Sequence, residues 1–209
     1  MIMMLFLSSP CSRTLLAVST LFVLGASTGC SYTYSSYGVK PTTFPLPAPP
    51  RRTNPSSLLP NGDFECGIAP WTVIVPDQAI TYSVGAPAHT GSNSLQVNFT
   101  PPSGRTQSGI SVRLVSAPVR VVPNVAYQLT FWTWFDNAEA GYIDVTFNEV
   151  SVYVVNATDH GYGGDFRFNT IDYIPTTDTV IIKFEYSFSE NLLNPNIDRI
   201  DSITLEPVQ

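Results

Sequence analysis

Two indoles stand two residues apart, at Trp132 and Trp134. Around them Tyr127, Leu129, Phe131, Thr133 and Phe135 occupy one phase, and Gln128, Thr130, Trp132 and Trp134 the other. A period of two marks a half-buried strand, so both indoles face away from the apolar phase. Side chains two apart on a strand lie about 7 Å from each other, comparable to one sugar ring. Flat aromatic faces rimmed by polar side chains suit neutral, hydroxyl-rich ligands that also carry apolar C–H faces. Trp132, Trp134 and Gln128 are therefore candidate binding residues, with Tyr142 and Asp144 expected nearby on the next strand. The alternative is that loops cover both indoles, because fully exposed Trp is uncommon.

Catalytic constellations are thin. The chain has two histidines, His89 and His160, both in Gly-rich stretches, and no G-x-S-x-G nucleophile motif. A glycosidase needs two carboxylates about 5–9.5 Å apart across the bond. Asp144 and Glu149 qualify by count, but Glu149 falls at an expected turn tip, and the E-x-D-x-E strand motif is absent. His160-Gly161-Tyr162-Gly163-Gly164-Asp165 is glycine-rich, yet it follows no strand–helix pattern and is not a phosphate loop. These features argue against an enzyme.

Charge narrows the partners. Of 209 residues 44% are hydrophobic and only 12% charged, against about 25% charged in ordinary soluble chains. All sixteen acidic residues lie at or after Asp63, a stretch that holds six basic ones, so this part is near −10. A nucleic-acid binder needs a basic face, and an anionic membrane is an equally poor partner for such a surface.

Residues 1–29 read as a signal peptide: Arg13, an apolar run from Leu15 to Ala26, then Gly25-Ala26-Ser27-Thr28-Gly29. An uncleaved anchor and a lipid-modified Cys30 are the rival readings. Residues 30–57 form a Pro/Ser/Tyr-rich linker, with Pro41, Pro45, Pro47, Pro49, Pro50 and Pro55 favouring an extended chain. Cys11 leaves with the signal. Pairing of Cys30 with Cys66 would close a loop of about 36 residues and add about 3–4 kcal/mol; the other reading leaves Cys66 a small buried hydrophobe. The triplets Asn98-Phe99-Thr100 and Asn156-Ala157-Thr158 are N-glycosylation sequons.

From Leu58 to Gln209 the alternation repeats. Leu95, Val97 and Phe99 show it, as do Ile110, Val112 and Leu114, then Ile143, Val145 and Phe147, then Ile182, Phe184 and Tyr186. Asn148-Glu149 separates two such runs and reads as a hairpin turn. No long window has helical spacing. Short strands at this spacing predict an all-β sandwich.

Four landmarks then resemble carbohydrate-binding modules of the family 4, 9 and 22 type. They are Asn61-Gly62-Asp63-Phe64-Glu65 followed by Trp71; Thr90-Gly91-Ser92-Asn93-Ser94-Leu95; Val122-Pro123-Asn124 through Tyr127 to Trp132; and Arg199-Ile200-Asp201-Ser202-Ile203-Thr204-Leu205. The third carries Asn124 where the family has Gly. The resemblance implies a jelly roll of two antiparallel sheets over 58–209. It also implies a structural Ca2+ held by Glu65, Asp201 and the Gly62 carbonyl, and a ligand-stacking aromatic at Trp132; Trp134 has no such counterpart. Together these readings describe a secreted, non-catalytic, monomeric module that binds a polysaccharide or other neutral glycan. The alternative is a structural or interaction protein of the cell wall or surface that uses the fold as a scaffold.

Overall fold

Each alternating run becomes a strand. The computed structural model describes residues 57–76, 79–100, 110–188 and 195–208; the signal peptide, the linker before Ser57, and Cys30 lie outside them. Among the described residues twelve strands run in order: β1 (Thr72–Ile74), β2 (Ile80–Gly85), β3 (Ser94–Phe99), β4 (Ser111–Val115), β5 (Val119–Arg120), β6 (Tyr127–Phe135), β7 (Tyr142–Phe147), β8 (Val150–Asn156), β9 (Arg167–Tyr173), β10 (Thr179–Val180), β11 (Ile182–Ser187) and β12 (Asn196–Pro207). A 3-10 turn at Ala138–Ala140 and one helical turn, α1 (Ala157–His160), complete them.

The strands form two five-stranded sheets, β1-β4-β11-β7-β8 and β2-β3-β12-β6-β9, plus the small pair β5-β10. All pairings are antiparallel. This is the expected jelly-roll sandwich. The apolar phases fill the space between the sheets, with Leu95, Val97, Leu129, Phe131, Ile143, Val145, Ile182 and Phe184 all buried. Each such side chain stabilises by roughly 1.5–3 kcal/mol. Trp71 is core and anchor together. Its ring tilts against Phe64 and Phe184 at 6.2 and 6.3 Å, and its Nε1 donates to the Pro60 carbonyl at 3.2 Å. The expected hairpin turn joins β7 to β8, with Asn148 and Glu149 at φ 49° and 67°, the left-handed pair of a type I′ turn.

At β12, the central strand of the second sheet, residues 61–65 and the connection between β2 and β3 are pinned together. Glu65 Oε1 accepts the amides of Ser92 and Asn93 at 2.6 and 2.8 Å. Asp201 accepts those of His89, Thr90 and Ser202 at 2.7, 3.0 and 2.6 Å. The Gly62 carbonyl accepts the Ile203 amide at 2.9 Å. Gly62 is glycine because a Cβ there would lie 1.9 Å from the Ile203 carbonyl oxygen. Gly91, at φ +71°, sits where a Cβ would lie 2.3 Å from Glu65 Oε1. Gly62→Ala is expected to cost about 3 kcal/mol, a fall of roughly 6–12 °C in Tm by thermal denaturation.

A polar group also lies inside the sandwich. Asp198 is 2% exposed and accepts from Asn196 Nδ2 at 2.8 Å, while Asn196 Oδ1 accepts from Asn137 Nδ2 at 2.9 Å. Burial raises the Asp198 carboxyl well above its ordinary value; Asn196 pulls the other way, and the Asp136 charge adds to the rise. The native state therefore binds this proton more tightly than the unfolded chain. The carboxyl favours folding most at low pH, and that contribution is lost as pH rises from about 4 through its native value. The Asp198→Asn variant should gain Tm over the parent as pH rises from 4 to 8. Melts at pH 4, 6 and 8 would show a constant or shrinking difference if this ionisation carries no cost.

Candidate functional site

The sandwich has two outer faces, and the sequence candidates divide between them. On the second sheet, Gln128, Thr130, Trp132 and Trp134 point outward, opposite the buried phase of β6. Both indoles are half-buried and already in use. The His89 ring stacks on Trp132 with centroids 3.7 Å apart and planes at 14°, and Phe168 tilts against it at 5.3 Å. His89 Nδ1 pairs with Ser202 Oγ at 3.1 Å, and burial lowers the His89 pKa. The Arg199 guanidinium carbon lies 4.3 Å from the Trp134 ring centroid, and Trp134 Nε1 donates to the Gly164 carbonyl at 2.8 Å. Gln128 donates to Asp172 at 3.0 Å. Asn98 shares this face, accepting from Gln96 at 2.5 Å.

Tyr142 and Asp144 are not beside the indoles, which corrects the sequence expectation. After β6 the chain crosses to the other sheet, so the strands flanking β6 are β9 and β12 rather than β7. On the first sheet's outer face Ser111, Ser187, Tyr142 and Asn156 form one cross-strand row, and Arg113, Glu185, Asp144 and Val154 the next. Tyr142 is 42% exposed.

This row is laced together. Glu185 accepts from Ser111 Oγ at 3.1 Å and pairs with Arg113 Nε at 3.1 Å and Lys183 Nζ at 3.3 Å. Lys183 also reaches Glu149 at 2.6 Å, a bond that is the main cause of its raised pKa. Ser151 donates to Asp144 at 2.5 Å. Burial pushes the Glu185 carboxyl up, but Arg113, Ser111 and Lys183 together hold it below the ordinary value. That direction makes it a fixed acceptor, the reverse of the raised carboxyl a glycosidase acid needs. Glu185 is not among the binding residues expected from the sequence. Its signal was the polar phase of β11, where Lys183, Glu185 and Ser187 alternate with the core.

The calcium candidates Glu65, Asp201 and Gly62 meet at the junction described above. An ionised carboxylate has about four acceptor positions, so Asp201 keeps one beyond its three amides and Glu65 keeps two. Burial lifts the Asp201 carboxyl to about 6, three amides pull it down, and the Asp63 charge adds to the rise. Among the described residues no three His, Cys, Asp or Glu side chains converge as a metal cluster; an ion here would lean on backbone carbonyls as well. Cys66 is disulfide-bonded; Cys30, the partner expected from the sequence, lies outside the described residues.

Comparison with known proteins places this geometry. A model of the family described as carbohydrate binding domain matches residues 56–195. No curated protein sequence matches significantly. Among solved structures, a family 61 carbohydrate-binding module in complex with β-1,4-galactotriose aligns at TM-score 0.53 and 21% identity, over 73% of this chain and 99% of that one. The enzymatically active domain of bacteriophage CBA120 tailspike protein 4 aligns at 0.53 and 17%, over 73% of this chain and 21% of that one. An arabinose-bound α-L-arabinofuranosidase aligns at 0.51 and 17%, over 73% of this chain and 26% of that one. At such identities the structural likeness is one of fold, whereas the family match spans more than half the sequence: the chain belongs to the carbohydrate-binding domain family.

Proposed function

We propose that the chain is a secreted, non-catalytic, monomeric module that holds a neutral glycan on the outer face of its first sheet. The signal-like residues 1–29 support secretion. One observation carries the choice of face: Tyr142 stands exposed beside a row of hydrogen-bonding groups, and among the described residues no protein ring or cation stacks on it. A sugar ring would lie on Tyr142. Its hydroxyls would meet Asp144, Glu185, Arg113, Ser111 and Ser187. The charges here are largely paired, Arg113 with Glu185 and Lys183 with Glu149, and an anionic sugar would meet Asp144 without a compensating cation. A second reading places the ligand at Trp132, Trp134 and Gln128, supported by Phe168, which is 50% exposed beside Trp132.

Pull-down on insoluble polysaccharides, with a glycan array to identify the ligand, separates these readings. Tyr142→Ala and Glu185→Gln should each weaken retention tenfold or more, about 1.4 kcal/mol, with Tm held close to the parent. Trp132→Ala should leave retention within about twofold. The reverse pattern would move the site to the second sheet. Retention by none of these proteins, the parent included, would favour a scaffold role in the cell wall or surface.

A structural Ca2+ at Glu65, Asp201 and the Gly62 carbonyl is proposed alongside. Its support is the acceptor positions that Glu65 and Asp201 keep beyond their amides, which a hard cation seeking oxygen donors would fill. EDTA should then lower Tm and added Ca2+ restore it; a Tm indifferent to both leaves the amide clamp alone at this junction.

A further inference from the structure

We propose that Asn156 is an N-glycosylation acceptor whose glycan closes the first sheet's outer face to other carbohydrate, whereas a glycan on Asn98 leaves that face open. The inference rests on the binding face proposed above. Asn156 ends β8 and begins the sequon Asn156-Ala157-Thr158, with Thr158 exposed in α1. Its half-buried side chain donates from Nδ2 to Asp159 at 3.3 Å in an exposed bond. Substitution at Nδ2 leaves one N–H to keep that bond. In the modification, Nδ2 forms a C–N bond to the anomeric carbon of a lipid pyrophosphate-linked oligosaccharide. The anomeric C–O bond breaks, the lipid pyrophosphate departs, and the amide loses one proton.

Asn156 is the direct cross-strand partner of Tyr142. Opposed side chains of an antiparallel pair have Cβ atoms about 4.5–5.5 Å apart, so the first sugar would sit beside the ring on which a glycan would stack. A ligand tethered at this distance acts at an effective concentration of order millimolar, enough to displace free polysaccharide of weaker affinity. Asn98 is different. It lies on β3 of the second sheet, opposite Thr81 and Ile197, with the whole core between it and Tyr142.

The test compares the full chain secreted from a eukaryotic host with the same chain made without glycosylation in bacteria, by pull-down on the polysaccharide that retains the bacterial protein. Glycopeptide mass spectrometry should find Asn156 occupied, and the glycosylated chain should be retained at least tenfold less. Asn156→Gln and Thr158→Ala, which removes the sequon but keeps the asparagine, should each restore retention; Asn98→Gln should not. An unoccupied Asn156, or a glycosylated chain retained as well as the bacterial one, overturns the inference. If the bacterial chain is retained by no polysaccharide, the binding-face reading fails first and this inference falls with it.

Discussion

The carboxylate of Asp201 accepts three backbone amides, two of them from a connection that has no strand to pair with. An amide withdrawn from water without an acceptor costs about 1–3 kcal/mol, so residues 86–93 can lie against the second sheet only where acceptors are supplied. Asp201 and Glu65 supply them from the two ends of the module. The irregularity in β12 between Asp201 and Thr204 has a use here, because Ser202, at φ 53°, turns its amide onto Asp201 and its hydroxyl toward His89 and Thr90. With the loop held there, the His89 ring lies flat on Trp132. One buried anion thus sets the position of a loop and the state of an indole on the outer face, beside the point where the turn at residues 61–64 bonds to β12.

Much of this was legible in the sequence. The period of two located β3, β4, β6, β7 and β11 and their buried phases, because a strand buried on one face leaves no freedom in register. Asn148-Glu149 was legible as the hairpin because two alternating runs stop on either side of it; Asn148 suits the left-handed backbone found there, whereas Glu149 adopts it without such a preference. Trp132 and Trp134 were read as outward-facing, and they are. Sheet membership was hidden. Consecutive strands are neighbours in most folds, and β6 followed by β7 looks like such a pair. Yet the connection through Ala138–Ala140 carries the chain between sheets. Nothing in the composition of that connection distinguishes a crossover from a hairpin, so Tyr142 and Asp144 were placed on the wrong side of the core.

The partners of the indoles were hidden for a related reason. Alternation reports which way a side chain points, not what arrives above it. His89 and Arg199 reach Trp132 and Trp134 from other strands and loops, and their arrival depends on the amide clamp and on the register of β12 against β6. An exposed aromatic is therefore better judged by its stacking partners than by its phase.

The two outer faces differ in how their polar groups are satisfied. On the second sheet loops descend onto the face and occupy it. On the first, bonding runs sideways from strand to strand, from Arg113, Ser111 and Lys183 to Glu185, from Lys183 to Glu149 and from Ser151 to Asp144. Lateral bonding leaves the groups ordered at the surface without covering them. A neutral ligand brings no charge of its own, so its affinity depends on how little must be frozen to receive it, at about 0.5–1.5 kcal/mol for each immobilised side chain. Glu185, Arg113 and Lys183 are fixed by each other before any ligand arrives, so a sugar at the proposed Tyr142 face would have few side chains left to freeze.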